Sequence, residues 1–252
     1  MLEVRGIHLG KGTPKVCIPM VGTTPEELEV EAFNILQCGC DIVEWRIDHF
    51  KEVENIDKLK TMAQRLRELY KEIPLLVTFR SHREGGVYKL SDEKYCKLYE
   101  SIIPTKLLDI IDIELFMPEE IVEKLILLSR ENGVKVILCN HDFDKTPSKE
   151  EIIKRLKMME EKGADIGKIA TMPHNVTDLL TLLEATKEAK EQMNCPIITM
   201  SMGKIGMLSR ITGEIFGSAM TFGVARNASA PGQIPAKELK EVLNFVTKNY
   251  NE

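Results

Sequence analysis

No run of this chain approaches the roughly 18 consecutive apolar residues that a membrane-spanning helix needs. The N-terminus, MLEVRGIHLGKG, lacks the apolar core of a signal peptide. There is no basic block, and the formal net charge is −5. Nucleic acid and membrane surfaces are therefore poor partners for it. There is no G-x-G-x-x-G, no P-loop and no G-x-S-x-G, so the dinucleotide cradle, the phosphate cradle and the nucleophile elbow are all missing. Of six cysteines only Cys38 and Cys40 are neighbours, and a C-x-C without a second cluster does not make a metal site. The cysteines read as reduced, buried residues of a cytoplasmic protein, with no metal expected.

What is present is ordinary in amount. At 252 residues, with 43% hydrophobic and 29% charged, the chain can bury a sizeable core and is not of disordered composition. Eight β-rich runs recur: KVCIPMVG (15–22), DIVEWRID (41–48), PLLVTFR (74–80), LLDIIDIEL (107–115), KVILCNHDF (135–143), ADIGKIATM (164–172), PIITMSM (196–202) and AMTFGVAR (219–226). Helical patterns lie between them. EEIVEKLILLSREN (119–132) and EEIIKRLKMMEEKG (150–163) repeat apolar residues at three- and four-residue spacing. Thr24 to Glu27 and Ser148 to Glu151 fit capping boxes, the first with proline at the first helical position.

Eight strands alternating with helices imply parallel pairing. At this length a closed (β/α)8 barrel fits best, as one domain over residues 1–252. An open doubly wound sheet is the rival, but its glycine-rich loop is missing after the first strand. Residues before Lys15 predict a short hairpin that closes the bottom of the barrel.

Residues two apart in a strand share a face. Glu44, Arg46 and Asp48 then lie with Ile42, Thr78 lies with Arg80, and Asp112 lies with Glu114. Cys139, His141 and Phe143 share a face, as do Ile166, Lys168 and Ala170, and Met200 and Met202 follow Ile198. The opposite faces are mostly apolar, as helix-contacting faces should be. One choice of inward face brings all of these polar residues toward the C-terminal mouth, where barrel enzymes work. Each alone has a plainer reading. Glu44 and Arg46 could be a structural ion pair, His141 a hydrogen-bonded core histidine, and the methionines packing. Together, so many charges in a dry barrel would cost many kcal/mol, and a pocket for a polar, anionic ligand explains them jointly.

The residue types that remain are lysine and histidine. A desolvated lysine near other cations has a lowered pKa and offers a neutral amine; Arg46 and Arg80 are the expected cations beside Lys168. An amine attacks a carbonyl to form a Schiff base, and histidine suits proton shuttling. This combination fits aldol cleavage, isomerisation or dehydration. Glu84, in FRSHREGG (79–86), could orient the histidine, and His82 beside it reads as solvated. NASAPGQIP (227–235) reads as a closing lid in which Ser229 and Gln233 meet hydroxyls. Arg210, in GMLSRITGEIFGS (206–218), could grip a carboxylate bidentately.

Taken in order, several segments resemble type I 3-dehydroquinate dehydratase over nearly the whole chain. They are Glu44-Trp45-Arg46-Ile47-Asp48, Phe79-Arg80 with Glu84-Gly85-Gly86, Asn140-His141-Asp142-Phe143, Lys168, Ser209-Arg210, Phe216-Gly217-Ser218 and Ser229-Ala230-Pro231-Gly232-Gln233. The resemblance implies a (β/α)8 barrel, a homodimer, and no metal or organic cofactor. It implies loss of water from 3-dehydroquinate to give 3-dehydroshikimate, in the shikimate route to aromatic amino acids. It makes Lys168 the Schiff-base residue, His141 the general base and acid of a syn elimination, and Glu84 the residue that orients it. Glu44, Arg46, Arg80 and Gln233 would hold hydroxyls with Ser229 assisting, and Arg210 would pair with the carboxylate. Phe143, Met200, Met202 and Phe222 would be apolar walls. The alternatives are another Schiff-base barrel enzyme of the class I aldolase type, or a sugar-acid binding protein, which would not need Lys168.

Overall fold

The computed structural model describes residues 1–226 and 232–250. Eight parallel strands form the barrel: β1 (Lys15–Met20), β2 (Ile42–Arg46), β3 (Leu75–Thr78), β4 (Ile110–Glu114), β5 (Lys135–Asp142), β6 (Ile166–Thr171), β7 (Ile197–Ser201) and β8 (Met220–Val224). Neighbours in sequence are neighbours in space from β1 to β7, and β8 returns to β1. The seam between β7 and β8 is the thinnest. It closes through the Ile197–Ser218 bridge and an Ala219 N–H donated to Ile197 O at 2.8 Å. The Ser218 hydroxyl accepts the Thr199 N–H across the same seam at 3.0 Å.

Helices α1 (Pro25–Cys38), α2 (Ile56–Tyr70), α3 (Asp92–Ile102), α4 (Glu119–Glu131), α5 (Lys149–Glu161) and α6 (Val176–Gln192) each follow the strand of the same number. Two short helices, α7 (Met207–Ile211) and α8 (Gly213–Phe216), follow β7, and α9 (Ala236–Tyr250) follows β8. Both predicted N-caps form: Thr24 accepts from Glu27 N–H and Ser148 from Glu151 N–H. The reciprocal halves differ from a capping box. The Glu27 carboxylate reaches Thr23, and Glu151 turns to Arg155.

The alternation read from the strands separates two cores. Outward residues such as Val43, Trp45, Val77, Ile113 and Leu138 pack with the helices. Inward residues Cys17, Ile42, Leu76, Ile110, Ile137, Ile166 and Ile198 form a second, apolar cluster inside the barrel. Val4 and Leu9 of an antiparallel hairpin (Leu2–Val4 with Ile7–Leu9) join that cluster and floor the barrel, as expected. Polar inward residues therefore sit above a dry base, at the carboxyl ends of the strands.

One strand stops early. DIVEWRID is strand only to Arg46; Ile47–His49 turns as a 3-10 helix. The turn folds the Asp48 carboxylate back onto Arg46, which donates from Nε at 2.8 Å and Nη2 at 2.9 Å.

Candidate active site

Above the floor, β3, β4, β5 and β6 each contribute a polar side chain to one connected network. Arg80 lies just past β3 and is 4% exposed. It donates to Asp112 Oδ1 at 2.7 Å, Glu114 Oε1 at 3.2 Å and Cys139 Sγ at 2.9 Å. Lys168 Nζ donates to the other oxygen of Asp112, at 2.8 Å. Asp112 has no exposure and is shared by two cations. Burial pushes its pKa up, but Arg80 and Lys168 hold it well below the usual carboxylate range. Glu44 accepts from the Thr78 hydroxyl at 2.8 Å.

This pairing overturns one expectation. Lys168 was expected to have a lowered pKa from the arginines. Burial does lower it, but the carboxylates of Asp112 and Glu44 outweigh burial and Arg80, and the pKa is raised. The reason is that Arg80 is itself bound to carboxylates and does not face the amine as an uncompensated charge. Lys168 rests as an ammonium ion, with its Nζ 4.8 Å from the Phe222 ring centroid.

The histidine is arranged as expected. His141 Nδ1 lies 2.8 Å from Glu84 Oε2, and the same oxygen accepts the His141 N–H at 3.0 Å. Glu84 is brought there by the 3-10 turn His82–Glu84, which ends at Gly85 with φ +83°. A side chain at Gly85 would strike the Phe143 ring, and one at Gly86 would strike the Arg80 carbonyl. Those two glycines let the loop lie flat under the pocket wall. Burial pushes Glu84 up to about 7, against the pull of Arg80. Burial, Arg80 and Lys168 together hold His141 well below its ordinary pKa, so its imidazole is neutral.

Glu44, Arg46, Arg80, Glu84, His141 and Lys168 meet around one cavity of about 240 Å³. Phe143, Met200, Met202 and Phe222 wall it, and Arg210 and Gln233 reach it. Arg210 is buried, and burial brings its pKa down to about 10, which leaves it charged at neutral pH. Ser229 lies outside the described residues. His82 and His174 are exposed and lie away from the cavity.

Three residues were read as inward or in a motif without being given a role. Asp112 is the counterion of the lysine. Cys139 is a hydrogen-bonding partner of Arg80 and Asp112. Asn140 donates to Glu84 Oε1 at 3.1 Å. Strand parity marked the first two; the third stood in the Asn140-His141-Asp142-Phe143 segment, but on the outward face, where parity gave it no place in the cavity. Glu84, Cys139 and His141 do place potential metal-ligand atoms within 4.8 Å of one another. Arg80 occupies the same ground, and burial raises the Cys139 thiol well above its ordinary pKa. A thiolate-bound cation is disfavoured there.

A closed parallel barrel with a charged, ligand-sized cavity at its carboxyl mouth defines a barrel enzyme. The chain belongs to the type I 3-dehydroquinase family, whose model matches residues 16–250. It is 53% identical over 246 residues to a 3-dehydroquinate dehydratase of Clostridium novyi, covering 97% of each chain. The solved type I 3-dehydroquinate dehydratase of Clostridium difficile, with covalently modified comenic acid, is 48% identical with TM-score 0.96 and 98% of each chain covered. The 3-dehydroquinate dehydratase of Geobacillus kaustophilus is 36% identical with TM-score 0.97, covering 100% of this chain and 97% of its own. The chain is a hydro-lyase of this family.

Proposed function

We propose that the chain dehydrates 3-dehydroquinate to 3-dehydroshikimate through a Schiff base on Lys168, with His141 as general base and acid. One observation carries this reading: a buried lysine and a carboxylate-oriented neutral imidazole line the same cavity. Arg210 takes the substrate carboxylate, and Glu44, Arg46, Arg80, Gln233 and Ser229 serve the hydroxyls. Arg46 and Arg80 do so from fixed positions, because Asp48 and Asp112 already hold them.

Lys168 must lose a proton before it attacks. His141 is suited to receive it. The lysine charge is one of the causes that depress the imidazole pKa, so each fraction of charge leaving the amine makes the imidazole more basic. The amine adds to the ketone, His141-H⁺ returns its proton to the carbinolamine oxygen, which leaves as water, and an iminium remains whose positive charge faces Asp112, with His141 neutral again. His141 then takes the acidic proton on the adjacent carbon, leaving an enamine. The enamine expels the β-hydroxyl, which leaves as water with the proton returned by His141-H⁺. Water hydrolyses the conjugated iminium and frees product and lysine. The fixed Asp112 carboxylate serves ammonium and iminium alike, so no charged group has to move during the chemistry.

The test is reduction with borohydride in the presence of 3-dehydroquinate, followed by peptide mass mapping. A covalent adduct on Lys168 is expected. No adduct, or one on another residue, overturns the Schiff-base assignment.

A further inference from the structure

Asn140 stands on the outward face of β5, between Leu138 and Asp142, where the neighbouring outward residues Val136 and Leu138 pack into the helix-facing core. It is 6% exposed. An amide at an apolar position needs partners, and it has two. Its Nδ2 donates to Glu84 Oε1 at 3.1 Å, and its Oδ1 accepts from Arg155 Nη1 of α5 at 2.8 Å. Arg155 is itself pinned, by Glu151 Oε1 to its Nε at 2.8 Å and by the Phe116 ring 5.7 Å from its guanidinium carbon.

The two ends of an asparagine amide have opposite hydrogen-bonding sense, and rotation exchanges them. With the carbonyl toward Glu84, two acceptors would repel. Arg155 is a donor only, so it takes the carbonyl and leaves the NH₂ for the carboxylate. With Oε1 filled by Asn140, Glu84 presents Oε2 to the His141 backbone N–H and to Nδ1. When Glu84 is ionised, the imidazole proton stays on Nδ1 and Nε2 is left as a base. When Glu84 is protonated, it donates to Nδ1, the imidazole proton moves to Nε2, and the basic nitrogen is lost.

We infer that Arg155 and Asn140 are positioning residues for the reaction: Arg155 fixes the sense of the Asn140 amide, and the amide keeps Glu84 ionised and oriented so that His141 holds the Nδ1–H tautomer. The inference rests on the proposed role of His141 as the base. Other charged groups facing Glu84 are Arg80 from the end of β3, Asp112 and Glu114 from β4, and His141 from β5; Lys168 and Arg46 also face the imidazole. None of these contacts Asn140 in place of Arg155. A carboxylate that loses a donor to its charged form titrates higher, so loss of either residue shifts the tautomer exchange to higher pH.

The experiment uses Arg155→Met, Asn140→Ala and the double variant of the full chain. Nitrogen-15 NMR of the His141 ring reads the tautomer against pH without substrate, and steady-state dehydration gives kcat, KM and the pH profile. In each single variant the tautomer midpoint should move to higher pH and the acid limb of kcat should follow it. At neutral pH, kcat should fall about ten-fold, the scale of one hydrogen bond to a charged group, with KM near that of the parent. The double variant should be no worse than Asn140→Ala, because Arg155 acts only through the amide. An unmoved NMR midpoint in Arg155→Met, or additive losses in the double variant, overturns the inference. A shifted midpoint with unchanged kcat leaves the positioning intact and instead refutes His141 as the base.

Discussion

At the scale of single residues, the buried pair of Lys168 and Asp112 sets the charge at the base of the cavity. The amine is buried, which alone would lower its pKa, but a carboxylate at 2.8 Å reverses the direction. Asp112→Asn should therefore have two effects. It removes one partner from a buried network that also binds Arg80, which costs about 3–5 kcal/mol of stability. It also removes the largest opponent of burial at Lys168 and leaves chiefly Glu44 against burial and Arg80, so the amine should become reactive at lower pH. Trapping of a small aldehyde by borohydride, followed against pH, measures this directly. An unchanged pH dependence would show that Asp112 does not control the amine. Lysine at position 168 was legible from the sequence as a misfit in an apolar strand. Its partner was legible only as an inward residue, because the pair spans 56 positions along the chain.

Secondary-structure elements were the most readable level. All eight strands and the helices between them follow from apolar spacing, and two helix starts follow from their caps. Thr24→Ala should cost about 1 kcal/mol in urea unfolding, the scale of a lost N-cap, with kcat unchanged because no residue of α1 lines the cavity. Stability equal to the parent would mean that Pro25 and the Glu27 contact with Thr23 suffice to start the helix. Strand ends were less readable. β2 stops at Arg46 because the Arg46–Asp48 pair needs a turn, and alternation cannot anticipate a contact formed by leaving the strand. The lid reading of 227–235 falls partly on residues outside those described. Gln233 reaches the cavity as expected.

Across the whole molecule, the Glu84–His141 pair balances its protons between the folded and unfolded states. Below about pH 6.5 an unfolded histidine binds a proton, and above about pH 4.3 an unfolded glutamate releases one. The folded pair does the reverse, with Glu84 raised to about 7 and His141 depressed. Between those limits both states hold one proton, so the pair adds no slope to stability. Glu84→Gln breaks the balance. While the folded imidazole stays neutral, the folded state then holds none and unfolded His141 still takes one, so stability should fall by about 1.4 kcal/mol for each pH unit as pH drops below about 6.5. Chemical unfolding between about pH 4.5 and 6.5 tests this, above the range where Asp48 and Asp112, both held below their ordinary values, lose their contribution. A slope in the variant equal to the parent's would refute the balance.

The sequence by itself determined the barrel, the inward faces of its strands and the residues that reach the mouth. Alternation and helical spacing are local, and burying an apolar face leaves few arrangements for eight such units. Only the tertiary structure decided which charge meets which. It gave Asp112 to both Lys168 and Arg80, gave Asp48 to Arg46, and ran Arg155 through Asn140 to Glu84. Those pairings join strands, loops and helices far apart in the chain. The sign of a buried pKa shift depends on distances of a few ångströms between them, which no local pattern encodes.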